Sequence, residues 1–305
     1  MRTCRGIALV VVLALLSLLA VVLAEVAFAA QMLASTSRTR IAAEQDRLAA
    51  LAAAEWGRAI LCPRKAGATA EIDDRPRHFV IADRVVSFRL EDESAKLNPS
   101  HLAAMVRSGN PVATRLAVVD ACSEMAGLPP GLDSASLLPP MHWEERNQHI
   151  LPPTSLEAYL QTRGSPALST GLWTSPDSPA AKRPTLGGLL TGDVTGPFNV
   201  NTASEDGLRL LGRAFDQETL VATLLRQRRV HPFESLDDLR RRVSQMQDAP
   251  PAMASLMGFE SLAASAVIAV RQDERVRYYR TLFRRQNEHV RLAFMVPLGR
   301  SQVVE

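Results

Sequence analysis

The stretch MRTCRG at 1–6, followed without a break by IALVVVLALLSLLAVVLA at 7–24, decides how the rest of the chain is read. A short leader holding Arg2 and Arg5 ends in Gly6, and the apolar run after it has Ser17 as its lone polar residue. At ~1.5 Å per residue the run is about 27 Å long, close to one bilayer core. The two arginines before it set the N-terminus in the cytoplasm by the positive-inside rule, and the bulk of the chain on the far side. No helix breaker occurs from Ile7 to Trp56; Gly57 and Pro63 are the first candidates to end the helix. Beyond the lipid, Ile41, Leu48, Leu51, Ala52, Trp56 and Ile60 recur near helical spacing. Arg38, Arg40, Glu44, Asp46 and Arg47 are assigned to the wet face. The expectation is one helix over 7–61, roughly 55 residues and ~80 Å long, half in the membrane and half out.

Three readings fit this N-terminus. A secretory signal peptide has the same basic and apolar regions, and Ala27-Phe28-Ala29 is a passable small-x-small cleavage site. A plain uncleaved anchor needs neither Gly6 nor a helix that runs on past the lipid. The third is cleavage between Gly6 and Ile7, because a basic leader ending in glycine directly before the membrane segment resembles the layout of a type IV prepilin. Most prepilins carry a glutamate five residues after the cleaved glycine; here that position is Val11.

Of 305 residues, 47% are hydrophobic and 22% charged. Without the anchor about 240 residues remain, enough for one large or two small domains. A net charge of +3 is too small to imply an acidic partner by itself. Prolines are plentiful and aromatics sparse, which suits a loop-rich body built on Ala and Leu. Of three cysteines, Cys4 lies in the leader, leaving Cys62 and Cys122 in an oxidising compartment. They form either a disulfide or two buried thiols. No CxxC or Cys/His zinc spacing is present.

His78 to Ala82 and Arg84 to Leu90 flank Asp83 and read as two short strands or one bent strand. Leu262 to Val270, Arg275 to Phe283 and His289 to Pro297 are three more β-prone runs. Strands on both sides of a long middle suggest one sheet with a helical insertion. In that middle, Leu102 to Val106 and Val112 to Met125 have a period near 3.6, and Thr154 with Glu157 fits a capping box. Residues 164–197 are crowded with Gly, Pro, Ser and Thr and predict a long loop or linker. Two segments resemble each other: KLNPSHL at 96–102 and FNVNTAS at 198–204, each able to cap a following helix with Asn or Ser. After the second, Leu208, Leu211, Leu220, Leu224, Leu225, Phe233, Leu236 and Leu239 follow at helical spacing.

These features together resemble general secretion pathway protein K, the large minor pseudopilin class of type II secretion. The matching stretches are EDESAKLN at 91–98, PFNVNTAS at 197–204, the leader with its helix, and Val11, since this class lacks the usual glutamate. The resemblance runs through nearly the whole chain in order. It implies an α+β, pilin-like fold: a long N-terminal helix packed on an antiparallel sheet, with a large inserted α-helical domain of two SAM-like units. The implied organisation is a prepilin leader over 1–6, a transmembrane and spine helix over 7–61, and a pilin-like α/β domain over 62–95 and 259–305. The inserted domain occupies 96–258, with a first unit at 96–163, a linker at 164–197 and a second unit at 198–250.

The implied role is non-enzymatic: to cap the tip of the periplasmic pseudopilus and initiate its assembly for export of folded proteins. Implied partners are the other minor pseudopilins (I and J classes), the major pseudopilin and the prepilin peptidase, with secreted cargo or the outer-membrane channel at the exposed end. The implied address is the inner membrane, single-pass, N-terminus cytoplasmic, bulk periplasmic. Val11 acquires a meaning from the resemblance. A pilin glutamate there neutralises the N-terminal amine of the subunit docked above it, and a tip subunit has none above. An ionised carboxylate in lipid costs about 2.5–3.5 kcal/mol, so it is kept only where a partner offsets it. The plainer reading is that valine suits a lipid-facing position.

Other chemistry finds little support. His142, Glu145 and His149 would share a helix face, but Pro139, Pro140, Pro152 and Pro153 bracket them, which favours a polar loop over a metal site. No HExxH or GxSxG pattern occurs. Members of the family can hold calcium in the helical domain. Asp120 stands where a pair of aspartates is expected, but Cys122 takes the second place, and Asp133 and Glu144 are scattered. Calcium needs about six to eight oxygens, so no ligand residue is carried over and no cofactor is expected. The runner-up function is a membrane-anchored helix-hairpin-helix DNA-binding or competence-type protein using Asn199 to Val243, with Arg226, Arg228, Arg229, Arg240, Arg241 and Arg242 beside the phosphates. Such hairpins use a glycine-rich turn. Gly212-Arg213-Ala214-Phe215-Asp216 lacks the second glycine, so no nucleic acid is expected.

Overall fold

Val86, Phe88 and Leu90 alternate with Val85, Ser87 and Arg89, and that period of two builds the second strand of the main sheet. The computed structural model describes residues 4–62, 72, 75–98, 125, 172–178, 184–194, 196–286 and 289–304. Strands β1 (Arg77–Ile81), β2 (Arg84–Asp92), β6 (Ala263–Gln272), β7 (Arg275–Gln286) and β8 (His289–Leu298) form one antiparallel sheet in the order β1-β2-β6-β7-β8. The five β-prone runs around Asp83 and after Leu262 therefore become one sheet, with two strands rather than one bent strand at 77–92. Neighbouring strands β2 and β6 pair over Val85–Asp92 and Ala264–Arg271. The chain leaves the sheet after Asp92 and returns at Ala263, so everything between is an insertion between adjacent central strands.

Helix α1 runs from Cys4 to Leu61. It is long and apolar enough to cross a membrane by length and composition. The chain divides into two compact units, residues 1–49 and 50–305. Within the second, the last turns of α1 lie on the sheet face that carries Phe88 and Phe283. A Cβ on Gly57 would stand 3.3 Å from the Phe283 ring and 3.4 Å from Leu90 Cδ2. Trp56 meets Phe79 and Phe88 edge-on, at 5.0 and 5.5 Å between centroids.

The buried stripe of α1 differs from the expected one. Ala49, Ala50, Ala53, Ala54 and Leu61 are buried, whereas Ile41, Leu48 and Trp56 are exposed. Asp46, assigned to the wet face, is 6% exposed. Small side chains let a helix approach closely, so the packed face is the alanine and glycine face, which hydropathy alone ranks below the leucine face.

The other face of the sheet is covered by the insertion. Helices α3 (Glu205–Ala214), α4 (Glu218–Val230), α5 (Leu236–Arg242) and α6 (Pro251–Leu256) share one core with Val267, Ala269 and Tyr278 of the sheet. Leu208, Leu211, Leu220, Leu224, Phe233 and Leu239 are buried as their spacing predicted. Ser204 caps α3, its Oγ accepting from the Gly207 N–H, and Ser235 caps α5 by accepting from the Asp238 N–H. Short strands β4 (Phe198–Asn199) and β5 (Met257–Gly258) pair in parallel and close the unit.

Helix α3 ends in a Schellman turn. Asp216 takes φ 54°, the Gln217 N–H donates to Gly212 O at 2.8 Å, and the Asp216 N–H to Arg213 O at 3.3 Å. Gly212 itself serves packing, since a Cβ there would stand 2.5 Å from Val221 Cγ2. The left-handed position suits glycine and holds an aspartate. Asp216→Gly is expected to stabilise the protein by about 0.5–1 kcal/mol, read as a higher urea midpoint with an unchanged slope; a lower midpoint would contradict this.

Composition predicts a loop over 164–197, but several of its described residues belong to the core. Strand β3 (Trp173–Thr174) pairs in parallel with β9 (Val303–Val304), and α2 spans Leu186–Leu189. Leu97 and Leu190 form a bridge, and Leu172, Trp173, Leu186, Leu189 and Leu190 are buried. Gly187 serves close approach: a Cβ there would sit 2.5 Å from Leu172 O and from the Trp173 ring. Of the first helical unit, 96–163, only 96–98 and Met125 are described, and the Thr154–Glu157 cap lies outside the described residues.

Candidate functional site

The two motifs singled out in the sequence, EDESAKLN and FNVNTAS, meet in space. Asp92 ends β2 and caps the 3-10 turn Glu93–Ala95, its Oδ1 accepting from the Ser94 N–H at 2.9 Å. Its Oδ2 accepts from Asn199 Nδ2 at 3.2 Å, from Thr202 Oγ1 at 2.5 Å and from Ser261 Oγ. One carboxylate thus ties the exit of the insertion, the start of its helical unit and the return to β6. Asn199 turns its own carbonyl to the Asn201 N–H at 3.1 Å. Asn201 pairs with the Phe233 backbone, donating from Nδ2 and accepting at Oδ1, both at 2.8 Å. Burial pushes the Asp92 carboxyl above its ordinary value, and the donors from Ser261, Thr202, Ser94 and Asn199 oppose that rise.

A second, charged cluster adjoins it. Glu93 is fully buried and sits 2.8 Å from Lys96 Nζ and 3.5 Å from the Arg280 guanidinium. Thr191 Oγ1 and Ser265 Oγ each donate to it at 2.5 Å. Lys96 also reaches Glu91 at 2.8 Å, and Arg280 pairs with Asp193. The Trp173 ring lies 4.1 Å from the Arg280 guanidinium and 5.4 Å from the Lys96 ammonium. Burial alone would raise Glu93 and lower Lys96. The charges of Lys96 and Arg280 hold Glu93 below its ordinary range, and Glu91 and Glu93 raise Lys96. Apart from half-buried Glu91 these groups are buried and pair with one another, so the arrangement works as a clasp between sheet and insertion.

Asp193, Trp173 and Arg280 were not singled out by sequence. Two lie in the stretch that reads as a loop, and the third looks like an ordinary outward residue of a half-buried strand.

The remaining sequence candidates are placed as follows. Gly6, Ile7 and Val11 lie in α1, with Val11 52% exposed. Cys62 is half-buried one residue past α1, its N–H donating to Arg58 O at 3.1 Å. Cys122 lies outside the described residues, as do Asp120, Asp133, His142, Glu144, Glu145 and His149. Among the described residues no group of three His, Cys, Asp or Glu side chains is placed to hold a metal ion.

Several of the arginines assigned to a basic helix face turn inward or pair. Arg228 donates to the carbonyls of Val200 and Ala203 at 3.0 and 2.5 Å. Arg242 donates to Gln227 and His231 carbonyls at 2.8 and 2.7 Å and stacks 4.4 Å from the Phe233 ring. Arg240 and Arg241 face Asp237 and Asp238 at 3.9 and 3.7 Å.

No family model matches the chain, and no curated protein matches it. Among solved structures it is similar to a chain of the GspK-GspI-GspJ complex from the enterotoxigenic Escherichia coli type 2 secretion system. The TM-score is 0.55 at 14% identity, over 86% of this chain and 99% of that one. At that identity the likeness speaks for the fold. The expected pilin-like α+β architecture, a long N-terminal helix with an antiparallel sheet and helices, is the one found.

Proposed function

We propose that the protein is a minor pseudopilin of type II secretion, of the K class, that assembles with I- and J-class partners. The observation that supports this best is the likeness to a chain of a complex of those three classes over 99% of its length. A glycine-terminated basic leader before the apolar run of 7–24, and the EDESAKLN and FNVNTAS motifs joined through Asp92, add to it. The role is structural rather than catalytic: the likeness is to a subunit of a pseudopilin complex, and among the described residues the buried charges Glu93, Lys96, Asp193 and Arg280 join sheet to insertion. Val11 in place of glutamate fits a subunit with none stacked above it, and the insertion packed on one sheet face adds bulk suited to a fibre tip. In this reading α1 anchors the chain in the inner membrane with its body in the periplasm, and the tip initiates pseudopilus assembly.

The reading predicts a mature N-terminus at Ile7, seen by N-terminal sequencing of the protein from membranes of a host with the prepilin peptidase. A start near Ala30 would overturn it. Deleting the gene should abolish export of folded periplasmic cargo, and normal secretion from that strain would count equally against it.

A further inference from the structure

Residues 7–34 hold only Ser17, Glu25 and Gln31 as polar members. At ~1.5 Å per residue these 28 residues measure about 42 Å, against ~30 Å of hydrocarbon. Tilt alone would have to reach about 45°, beyond the usual ~0–40°.

Glu25 makes the excess awkward. It is the one formal charge between Arg5 and Arg38. With the mature Ile7 amine at the cytoplasmic edge, Glu25 lies about 27 Å higher, level with the far headgroups. Val26, Phe28, Met32 and Leu33 then stand in water, at 61, 66, 53 and 70% exposure in the structure. Drawing them into lipid pulls Glu25 into hydrocarbon, at a cost of about 2.5–3.5 kcal/mol. The neighbours of Glu25 at three and four residues along the helix are Val21, Val22, Phe28 and Ala29, none of them basic.

We infer that the α1 face bearing Leu18, Val21, Glu25, Phe28 and Met32 docks the apolar helix of a partner subunit that carries a single Lys or Arg at the level of Glu25. These positions fall within one ~80° sector at ~100° per residue. One contact then covers Phe28 and Met32 of the excess apolar length, while Val26 and Leu33 lie roughly 100–120° round the helix, and it supplies the counter-charge. A second copy of this chain fits poorly, because a parallel copy in register would bring Glu25 against Glu25. The inference rests on the pseudopilin reading and deepens it by naming a contact face and the partner's charge.

The test uses the full-length protein co-expressed with its candidate partner subunits in membranes. A benzophenone amino acid is placed at position 28 and, on the opposite side of the helix, at position 27. Photolysis should yield a partner adduct from position 28 and about tenfold less from position 27. Glu25→Lys should cut the position-28 adduct about tenfold or more, and a Lys or Arg to Glu exchange on the partner should restore it. Glu25→Gln, which keeps shape and removes charge, should fall between, with membrane levels unchanged. Equal yields from both positions, indifference to Glu25→Lys, or adducts with lipid or a second copy alone would overturn the inference. If partner subunits co-purify while the position-28 adduct is missing, this inference alone fails. If none co-purifies with the wild type, the pseudopilin reading fails with it.

Discussion

Arg280→Met should destabilise the protein by about 3–5 kcal/mol, the range for removing one member of a buried ion pair. Arg280 is fully buried in the middle of β7, paired with Asp193, 3.5 Å from Glu93 and stacked on Trp173. Methionine fills much of the same volume, so the cost comes from charge. Asp193 loses the Arg280 guanidinium in a buried site, while Glu93 keeps Lys96 at 2.8 Å. Adding Asp193→Asn should therefore return a large part of the loss, because a neutral amide is far cheaper to bury than a carboxylate stripped of the Arg280 guanidinium. The measurement is urea unfolding followed by tryptophan fluorescence, with Trp173 as the local reporter. A loss below about 1 kcal/mol for Arg280→Met, or additive effects in the double variant, would show that the cluster is wetter and looser than its geometry.

The strands were legible in the sequence because Val, Ile, Phe and Tyr mark them whichever side they face. The α3 to α6 unit was legible because its leucines recur at helical spacing and Ser204 caps it. The clasp was legible in halves. Both motifs could be quoted, but a separation of more than a hundred residues hides which Asn meets which Asp. The charged cluster was hidden further. Arg280 alternates in β7 as an outward residue would, and only the insertion lying on that face buries it. Trp173 and Asp193 sit among glycines, prolines and serines that read as linker, although Gly187 is there to admit the Trp173 ring. On α1 the error has the same origin. Asp46 carries a charge and Ala50 and Ala53 carry little hydropathy, so a scale that ranks side chains by transfer energy assigns the packed face to Ile41 and Leu48.

Asp92→Ala is expected to cost about 2–4 kcal/mol, since it leaves the Ser94 N–H and the donors of Asn199, Thr202 and Ser261 without their shared acceptor. Asn199 keeps Ser261 Oγ at 3.0 Å, and both hydroxyls can rotate, which bounds the loss. Asp92→Asn should cost less, because the Thr202 and Ser261 hydroxyls can reverse and accept from the new amide. The pH dependence separates charge from geometry. Burial raises the folded-state value of Asp92 above the ordinary 3.8, so its contribution grows as pH falls through the raised value and is complete below 3.8. Glu93 has the opposite sign. Its folded value lies below the ordinary 4.5, so its contribution is present above 4.5 and is lost as pH falls through the lowered value. The Glu93 contribution is common to wild type and Asp92→Asn and cancels in their difference. The stability gap between the two should therefore widen as the buffer is taken from neutral toward the ordinary aspartate value. A gap that narrows would mean that the four donors outweigh burial and hold Asp92 ionised, making the clasp a charge-assisted joint that acid opens.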